Sequence, residues 1–174
     1  YARCMKSGDP KDPLLLQVLA TGAELSSPSN YSLDPLQEQN KNPLPGLIHK
    51  YRGRVLLIAA SGCAVNCRYC FRRHFDYSAN SPSRAHWPET LSYIAKDPSI
   101  NEVILSGGDP LLLPDDILRE LIDQIAAIKH VKRLRIHSRL PVVLPARITS
   151  DLCEAFAESR FRPVLVLHCN HPNE

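Results

Sequence analysis

Apolar residues change their spacing near residue 46. Upstream they are broken up by the dipeptides Asp9-Pro10, Asp12-Pro13, Asp34-Pro35 and Asn42-Pro43. Proline biases its predecessor away from the helical region, so residues 1–46 are expected to wrap along a surface as an irregular Pro-rich segment. One short helix is predicted there over 13–20, with Asp12 as N-cap, Pro13 at the first helical position, and Leu14, Leu15 and Val18 buried. Residues 47–174 then form the second region, in which short apolar runs alternate with helical periodicity. Val55–Ala59 is continuous and rich in β-branched residues and leucine, the signature of a strand buried on both faces. Further strands are predicted at Glu102–Leu105, Leu134–His137 and Val164–Leu167, and helices over 88–96, 114–128 and 149–159. The helix over 114–128 carries the clearest pattern. Pro114 opens it, Asp115 and Asp116 occupy the first turn, and Ile117, Leu118, Leu121, Ile122 and Ile125 share one face.

The order β-α-β-α-β-α-β implies an α/β fold with parallel strands and right-handed crossovers. Four strands are too few to close a barrel, which leaves an open sheet or a partial (β/α) barrel. The chain starts without Met at YARCMKSGDP and stops straight after an apolar run at HCNHPNE, so it reads as a piece of a longer protein, and a partial barrel is the expected architecture.

Composition narrows the function. The 174 residues are 44% apolar and 22% charged, enough for one globular core. A net charge of +3 gives no basic stripe for nucleic acid. No apolar run approaches the roughly 18–20 residues that span a bilayer, and no signal-peptide layout is present. Three of the six cysteines fall within CAVNCRYC, whereas Cys4, Cys153 and Cys169 are scattered singly and read as small apolar residues. That distribution points to a reducing, cytoplasmic compartment and a metal site rather than a disulfide scaffold.

Polar clusters follow each predicted strand. They are Ser61-Gly62-Cys63 with the cysteine loop, Gly107-Gly108-Asp109-Pro110, Ser138-Arg139, and His168 with Asn170 and His171. Ligands bind at that end of parallel α/β sheets because the loops converge there. Cys63, Cys67 and Cys70 follow C-x3-C-x2-C, a soft thiolate set suited to an iron–sulfur cluster or to zinc. Zinc would need a fourth ligand, with His74 the nearest candidate. Three thiolates on a four-iron cluster instead leave one iron free to bind a cofactor.

These cysteines directly after the first strand, with a GGDP loop after the second, resemble the radical S-adenosylmethionine enzymes. HKYRGRVLLIAASGCAVNCRYCFRRHF, SGGDPL, RIHSRLPVVLPARI and HCNHPNE resemble the lysine 2,3-aminomutase family. DPLLLQVL, SLDPLQEQ and PGLIHKY look like its bacterial branch, which supplies (R)-β-lysine for modifying elongation factor P. The resemblance runs from about residue 1 to residue 174.

The resemblance implies a four-iron, four-sulfur (4Fe–4S) cluster on Cys63, Cys67 and Cys70, with S-adenosylmethionine on its fourth iron. Reductive cleavage there gives a 5′-deoxyadenosyl radical that takes hydrogen from the substrate. Gly107, Gly108 and Asp109 correspond to the loop that holds the methionyl amino group; glycines permit close backbone approach and a carboxylate suits an ammonium. His137, Arg139, His168 and Asn170 are further candidates for S-adenosylmethionine contacts, and Arg135 and Ser138 for lining the cavity. Pyridoxal 5′-phosphate is implied as a second cofactor, with Tyr51 stacked on its ring and Lys50 and Arg54 as basic neighbours. A packing aromatic is the alternative role of Tyr51. Arg72 corresponds to the residue that binds the substrate carboxylate, whose geometry its fork matches. Arg68, Arg73 and His74 are expected to be solvated or to surround the cluster.

The implied reaction is that of an isomerase, an L-lysine 2,3-aminomutase, with a flavodoxin or ferredoxin as electron donor, the product destined for elongation factor P, and a homo-oligomer compatible with the sequence. The family's Schiff-base lysine lies beyond residue 174, so residues 1–174 alone are expected to form no β-lysine from L-lysine. Two alternatives stand beside this reading: a radical enzyme acting on another amine or a protein without pyridoxal phosphate, and a zinc-stabilised interaction module.

Overall fold

The computed structural model describes residues 1–26, 29–80 and 83–174. Five strands form one open sheet in the order β1-β2-β3-β4-β5: β1 (Leu47–Tyr51), β2 (Arg54–Ala60), β3 (Glu102–Gly107), β4 (Arg133–Ser138) and β5 (Val164–Leu167). β2 to β5 pair in parallel, as the alternating pattern predicted. β1 was not predicted and runs antiparallel to β2, so the sheet is mixed rather than wholly parallel. The reason is local. Tyr51 pairs with Arg54 across the two residues Arg52-Gly53, and Gly53 takes φ +84°, a value that glycine reaches without strain.

Helices α1 (Trp87–Lys96), α2 (Asp115–Ala126), α3 (Leu140–Val143) and α4 (Ser150–Glu158) connect the strands. The short α3 was not predicted. In α2, Leu118, Leu121, Ile122 and Ile125 are at most 1% exposed, and burial of each contributes roughly 1.5–3 kcal/mol. They join Trp87 and Ile94 of α1 and Leu152 of α4 in a single core. The sheet residues in that core are Val55, Leu57 and Ala59, Val103 and Leu105, and Leu134 and Ile136.

Side chains alternate along a strand, so the opposite face carries Arg54, Leu56 and Ile58, Glu102, Ile104 and Ser106, and Arg133, Arg135 and His137. The three longer helices thus share one face of a sheet whose strands follow in chain order. This is the arrangement of a barrel segment, in which the other face is the lumen.

The predicted helix over 13–20 is a single 3-10 turn, Leu15–Gln17. Its N-cap is Leu14 rather than the expected Asp12, whose carboxylate nevertheless accepts from the backbone N–H of Leu14 and Leu15 at 2.9 Å each. Leu14 is fully buried, whereas Leu15 and Val18 are half-buried. Residues 1–46 otherwise hold further 3-10 turns and cross the sheet's loop end through polar contacts described below. Among the described residues no helix is long and apolar enough to cross a membrane.

Candidate active site

β2 ends at Ala60 and β3 at Gly107, and the two chain ends are tied together. The N–H of Gly108 donates to the Ala60 carbonyl at 2.7 Å and that of Asp109 to the Gly62 carbonyl at 2.8 Å. Gly107 has φ +104°, and a Cβ there would meet Ile58 Cγ2 at 2.7 Å and the Ala60 carbonyl at 2.8 Å. A Cβ on Gly108 would collide with the backbone of Gly62. Both glycines are therefore required by the close approach of the GGDP loop to the segment that feeds the cysteine loop.

The cysteine loop proceeds as a series of turns, with Cys70 N–H donating to the Cys67 carbonyl and Arg73 N–H to the Cys70 carbonyl, both at 3.1 Å. Cys63, Cys67 and Cys70 all border one cavity of about 330 Å³. The same cavity is bordered by Ser106, Gly107, Gly108 and Asp109 after β3, by His137, Ser138 and Arg139 after β4, and by His168 after β5. The rim expected from the sequence is thus assembled around one space. Asn170 is not among the lining residues; its side chain donates to the Tyr69 hydroxyl. Lys50, Tyr51 and Arg54 also lie outside this lining. Lys50 donates to the Leu36 carbonyl, Tyr51 is 59% exposed, and Arg54 pairs with Glu102.

Two of the expected ligand contacts are already taken by protein groups. The Asp109 carboxylate, 5% exposed, accepts from Leu111 N–H, from Ser138 Oγ at 2.6 Å, and from the N–H groups of Arg139 and Leu140 at 2.9 and 2.8 Å. Its acceptor capacity is spent on locking the β3 loop to the end of β4, which leaves little for a ligand ammonium. Arg72 is buried, and its Nε and Nη2 form a fork with Glu38 at 2.9 and 2.8 Å. Only Nη1 turns elsewhere, 3.4 Å from Ser106 Oγ, while the guanidinium stacks 4.6 Å from the centre of the Phe71 ring.

Arg139 is similarly committed. Nη1 donates to Cys67 Sγ and Tyr69 OH at 2.9 Å, and Nη2 to Tyr1 OH, Gln17 and Glu174 at 2.7–3.0 Å. Arg68 and Arg73, expected to be solvated or to surround the cluster, both pair with Glu24. The residue-by-residue reading missed Glu38 and Tyr69. Glu38 stood in a quoted motif, yet nothing in its spacing links it to Arg72.

Burial, and next the Asp109 carboxylate, push the Cys63 thiol up to about 11. Bound iron must therefore displace a proton there, as in any thiolate site. Burial, followed by the charges of His168 and Arg135, lowers the pKa of His137, so this imidazole favours the neutral form. His137 Nε2 and Arg139 Nε are buried without a hydrogen-bond partner and border the same cavity, leaving donor or acceptor capacity for a polar ligand.

The donor set fits a cluster better than zinc. Three soft thiols share a cavity with two buried guanidinium groups, which suits an anionic iron–sulfur centre. His74 borders a separate small depression beside Leu33 and Phe75, so the fourth zinc ligand expected from sequence is not at hand. Among the described residues no three His, Cys, Asp or Glu side chains converge as ligands of one ion. Cys4, Cys153 and Cys169, read from the sequence as small apolar residues rather than ligands, are free and exposed.

The Radical SAM superfamily model matches residues 57–171, the stretch from β2 through the loop after β5. L-lysine 2,3-aminomutase of Escherichia coli (strain K12) is 53% identical over 170 residues, which cover 98% of this chain and 49% of that protein. The L-lysine 2,3-aminomutase of Haemophilus influenzae is 51% identical over 98% of this chain and 50% of its own length. That of Clostridium subterminale is 40% identical over 100% of this chain and 42% of its own length. The chain spans about half the length of these curated relatives. With three cysteines and a glycine-rich loop around one cavity at the strand ends, it belongs to the Radical SAM superfamily, whose members hold a 4Fe–4S cluster and S-adenosylmethionine.

Proposed function

We propose that the full-length protein is an L-lysine 2,3-aminomutase that converts L-lysine to β-lysine. The observation that carries this reading is the 53% identity to a protein of that name across 98% of the chain, including every cavity-lining loop. Cys63, Cys67 and Cys70 would hold the cluster, and the Gly107-Gly108 backbone would approach S-adenosylmethionine. Asp109 would fix that loop rather than touch the ligand. His137, Arg139 and His168 would line the cofactor's pocket, with Asn170 reaching it through Tyr69. Together the cluster and S-adenosylmethionine supply one-electron chemistry that begins by removing a hydrogen atom from substrate.

Arg72 would hold the substrate carboxylate through Nη1 while Glu38 keeps its plane fixed. Lys50, Tyr51 and Arg54 would serve pyridoxal phosphate, which delocalises an unpaired electron next to an amine. The proposed electron donor is a flavodoxin or ferredoxin, the proposed use of the product is modification of elongation factor P, and the proposed setting is the cytoplasm.

A second reading, a radical enzyme that dispenses with pyridoxal phosphate, draws support from one observation. Lys50, Tyr51 and Arg54 stand apart from the cysteine cavity. The deciding experiment is anaerobic iron and sulfide reconstitution of the full-length protein. Electron paramagnetic resonance would follow, with and without S-adenosylmethionine, and then assay of β-lysine. A four-iron signal altered by S-adenosylmethionine, a pyridoxal absorbance band and β-lysine from L-lysine are expected. An altered signal without that band or product would favour the second reading.

A further inference from the structure

Gln17 stands outside the lining of the cysteine cavity, in the single 3-10 turn Leu15–Gln17, and none of the roles above accounts for it. Its contacts converge on Cys67 from two directions. The Gln17 carbonyl accepts from the N–H of Arg68, the residue after Cys67, at 2.8 Å. Its side-chain Oε1 accepts from Arg139 Nη2 at 2.7 Å and from the Tyr69 hydroxyl at 3.0 Å. Arg139 Nη1 in turn donates to Cys67 Sγ and to the same Tyr69 hydroxyl, both at 2.9 Å. Gln17, Tyr69 and Arg139 thus close a small ring of hydrogen bonds, and one donor of that ring is aimed at the thiol.

The guanidinium is held firmly. Arg139 is 7% exposed and lies 5.1 Å from the centre of the Tyr1 ring and 5.9 Å from that of Tyr69. Glu174 pairs with Nη2 at 2.8 Å, so the pair is formally neutral. What reaches Cys67 is therefore a directed N–H dipole rather than an uncompensated charge, and its strength depends on alignment. Gln17 supplies alignment, because it fixes Nη2 while Nη1 faces the sulfur.

We propose that Gln17 is a positioning residue for the iron–sulfur centre: through Arg139 it keeps a hydrogen bond on the Cys67 sulfur and so raises the reduction potential of the cluster. A donor aimed at a ligand sulfur stabilises the electron-rich, reduced state more than the oxidised one. The step concerned is one-electron reduction of the cluster by the flavodoxin or ferredoxin proposed above. No bond forms or breaks at Gln17 or Arg139. The inference rests on the proposed role of Cys67 as a cluster ligand, and not on the substrate or on pyridoxal phosphate.

The test uses full-length protein, reconstituted anaerobically with iron and sulfide and kept free of S-adenosylmethionine. Redox titration followed by electron paramagnetic resonance gives the midpoint potential of the parent, of Gln17→Leu and of Arg139→Gln. Gln17→Leu leaves the Arg68 N–H its main-chain acceptor and alters no residue that lines the cavity. Both variants are expected at more negative potentials. For Arg139→Gln the shift lowers the ratio of reduced to oxidised cluster about tenfold at a fixed applied potential, and for Gln17→Leu by less. Gln17→Leu is expected to keep the parent's iron content and its affinity for S-adenosylmethionine. Should Arg139→Gln load no iron, Gln17→Leu decides alone. A loaded Gln17→Leu at the parent's potential would overturn the inference. So would a Gln17→Leu that loses its iron, since the residue would then hold the loop together rather than tune what it carries. An Arg139→Gln that binds S-adenosylmethionine weakly at an unmoved potential would overturn it as well, leaving the guanidinium to serve the cofactor alone. A parent that loads no four-iron cluster would instead remove the Cys67 assignment and this inference with it.

Discussion

Glu38 decides the state of Arg72, since it is the carboxylate that forks the buried guanidinium. With side chains 6% and 10% exposed, the two form a buried pair. Removing one member of such a pair costs about 3–5 kcal/mol, because the remaining charge is left without compensation. Glu38→Ala is expected near the low end, since Arg72 keeps Ser106 and the Phe71 ring. A urea titration of the full-length protein checks this; a loss below about 1 kcal/mol would mean that the pair is replaceable by water. Gly108→Ala acts differently. Its Cβ has no room against Gly62, so the two strand-end loops must separate, and anaerobic reconstitution is expected to yield much less iron per chain than the parent. Undiminished iron would show that the loops part without disturbing the cysteines. Residue chemistry was legible where it travels with the side chain, as it does for Cys63, Cys67 and Cys70. It was not legible for Asp109, where the sequence shows a carboxylate and cannot show that protein donors already fill it.

At the scale of elements, the N-terminal segment clamps the cysteine loop. Gln17 accepts from Tyr69 and Arg139, Glu24 pairs with Arg68 and Arg73, and the Gln17 carbonyl receives the Arg68 N–H at 2.8 Å. Several carboxylates of this segment are held below their usual range by backbone N–H donors. For Asp12 these come chiefly from Lys6 and then Leu15, for Glu24 from Thr21 with Arg68 assisting, and for Asp34 from Glu38 and Gln39. A pKa lower in the folded state than in the unfolded state gives stability that is complete above the unfolded value and fades as pH falls. The unfolded values are 3.8 for Asp and 4.5 for Glu, so the clamp is expected to loosen as pH drops below about 4.5. Hydrogen exchange of residues 1–41 at pH 6 and pH 3.5, corrected for the intrinsic rate, checks it. Equal protection at both would exclude these carboxylates as fastenings. Turn dipeptides made this segment's irregularity readable, because proline acts locally. Its attachment points were not readable, since each ion pair joins residues more than 30 positions apart.

At the scale of the whole molecule, β5 forms one edge of the open sheet, and its Val164 and Leu167 are 47% and 51% exposed. An unpaired apolar edge is a template for another strand. Residues 1–174 expressed alone are therefore expected to self-associate with rising concentration, and Val164→Lys to reduce this, as read by light scattering. A monomer at all concentrations would sink the idea. Sequence by itself determined the four parallel strands, the three longer helices between them and the close spacing of the three cysteines that share the cavity. Those features follow from hydrophobic period, caps and donor chemistry, all carried by near neighbours in the chain. Only the tertiary structure decided that β1 turns back antiparallel, that Glu38 and Asp109 spend their charge inside the protein, and that Glu102 draws three arginines into one layer. Each depends on which distant residues the sheet register brings within a few ångströms. An ion pair is set by that distance and by exclusion of water, and neither is a property of the chain read in order.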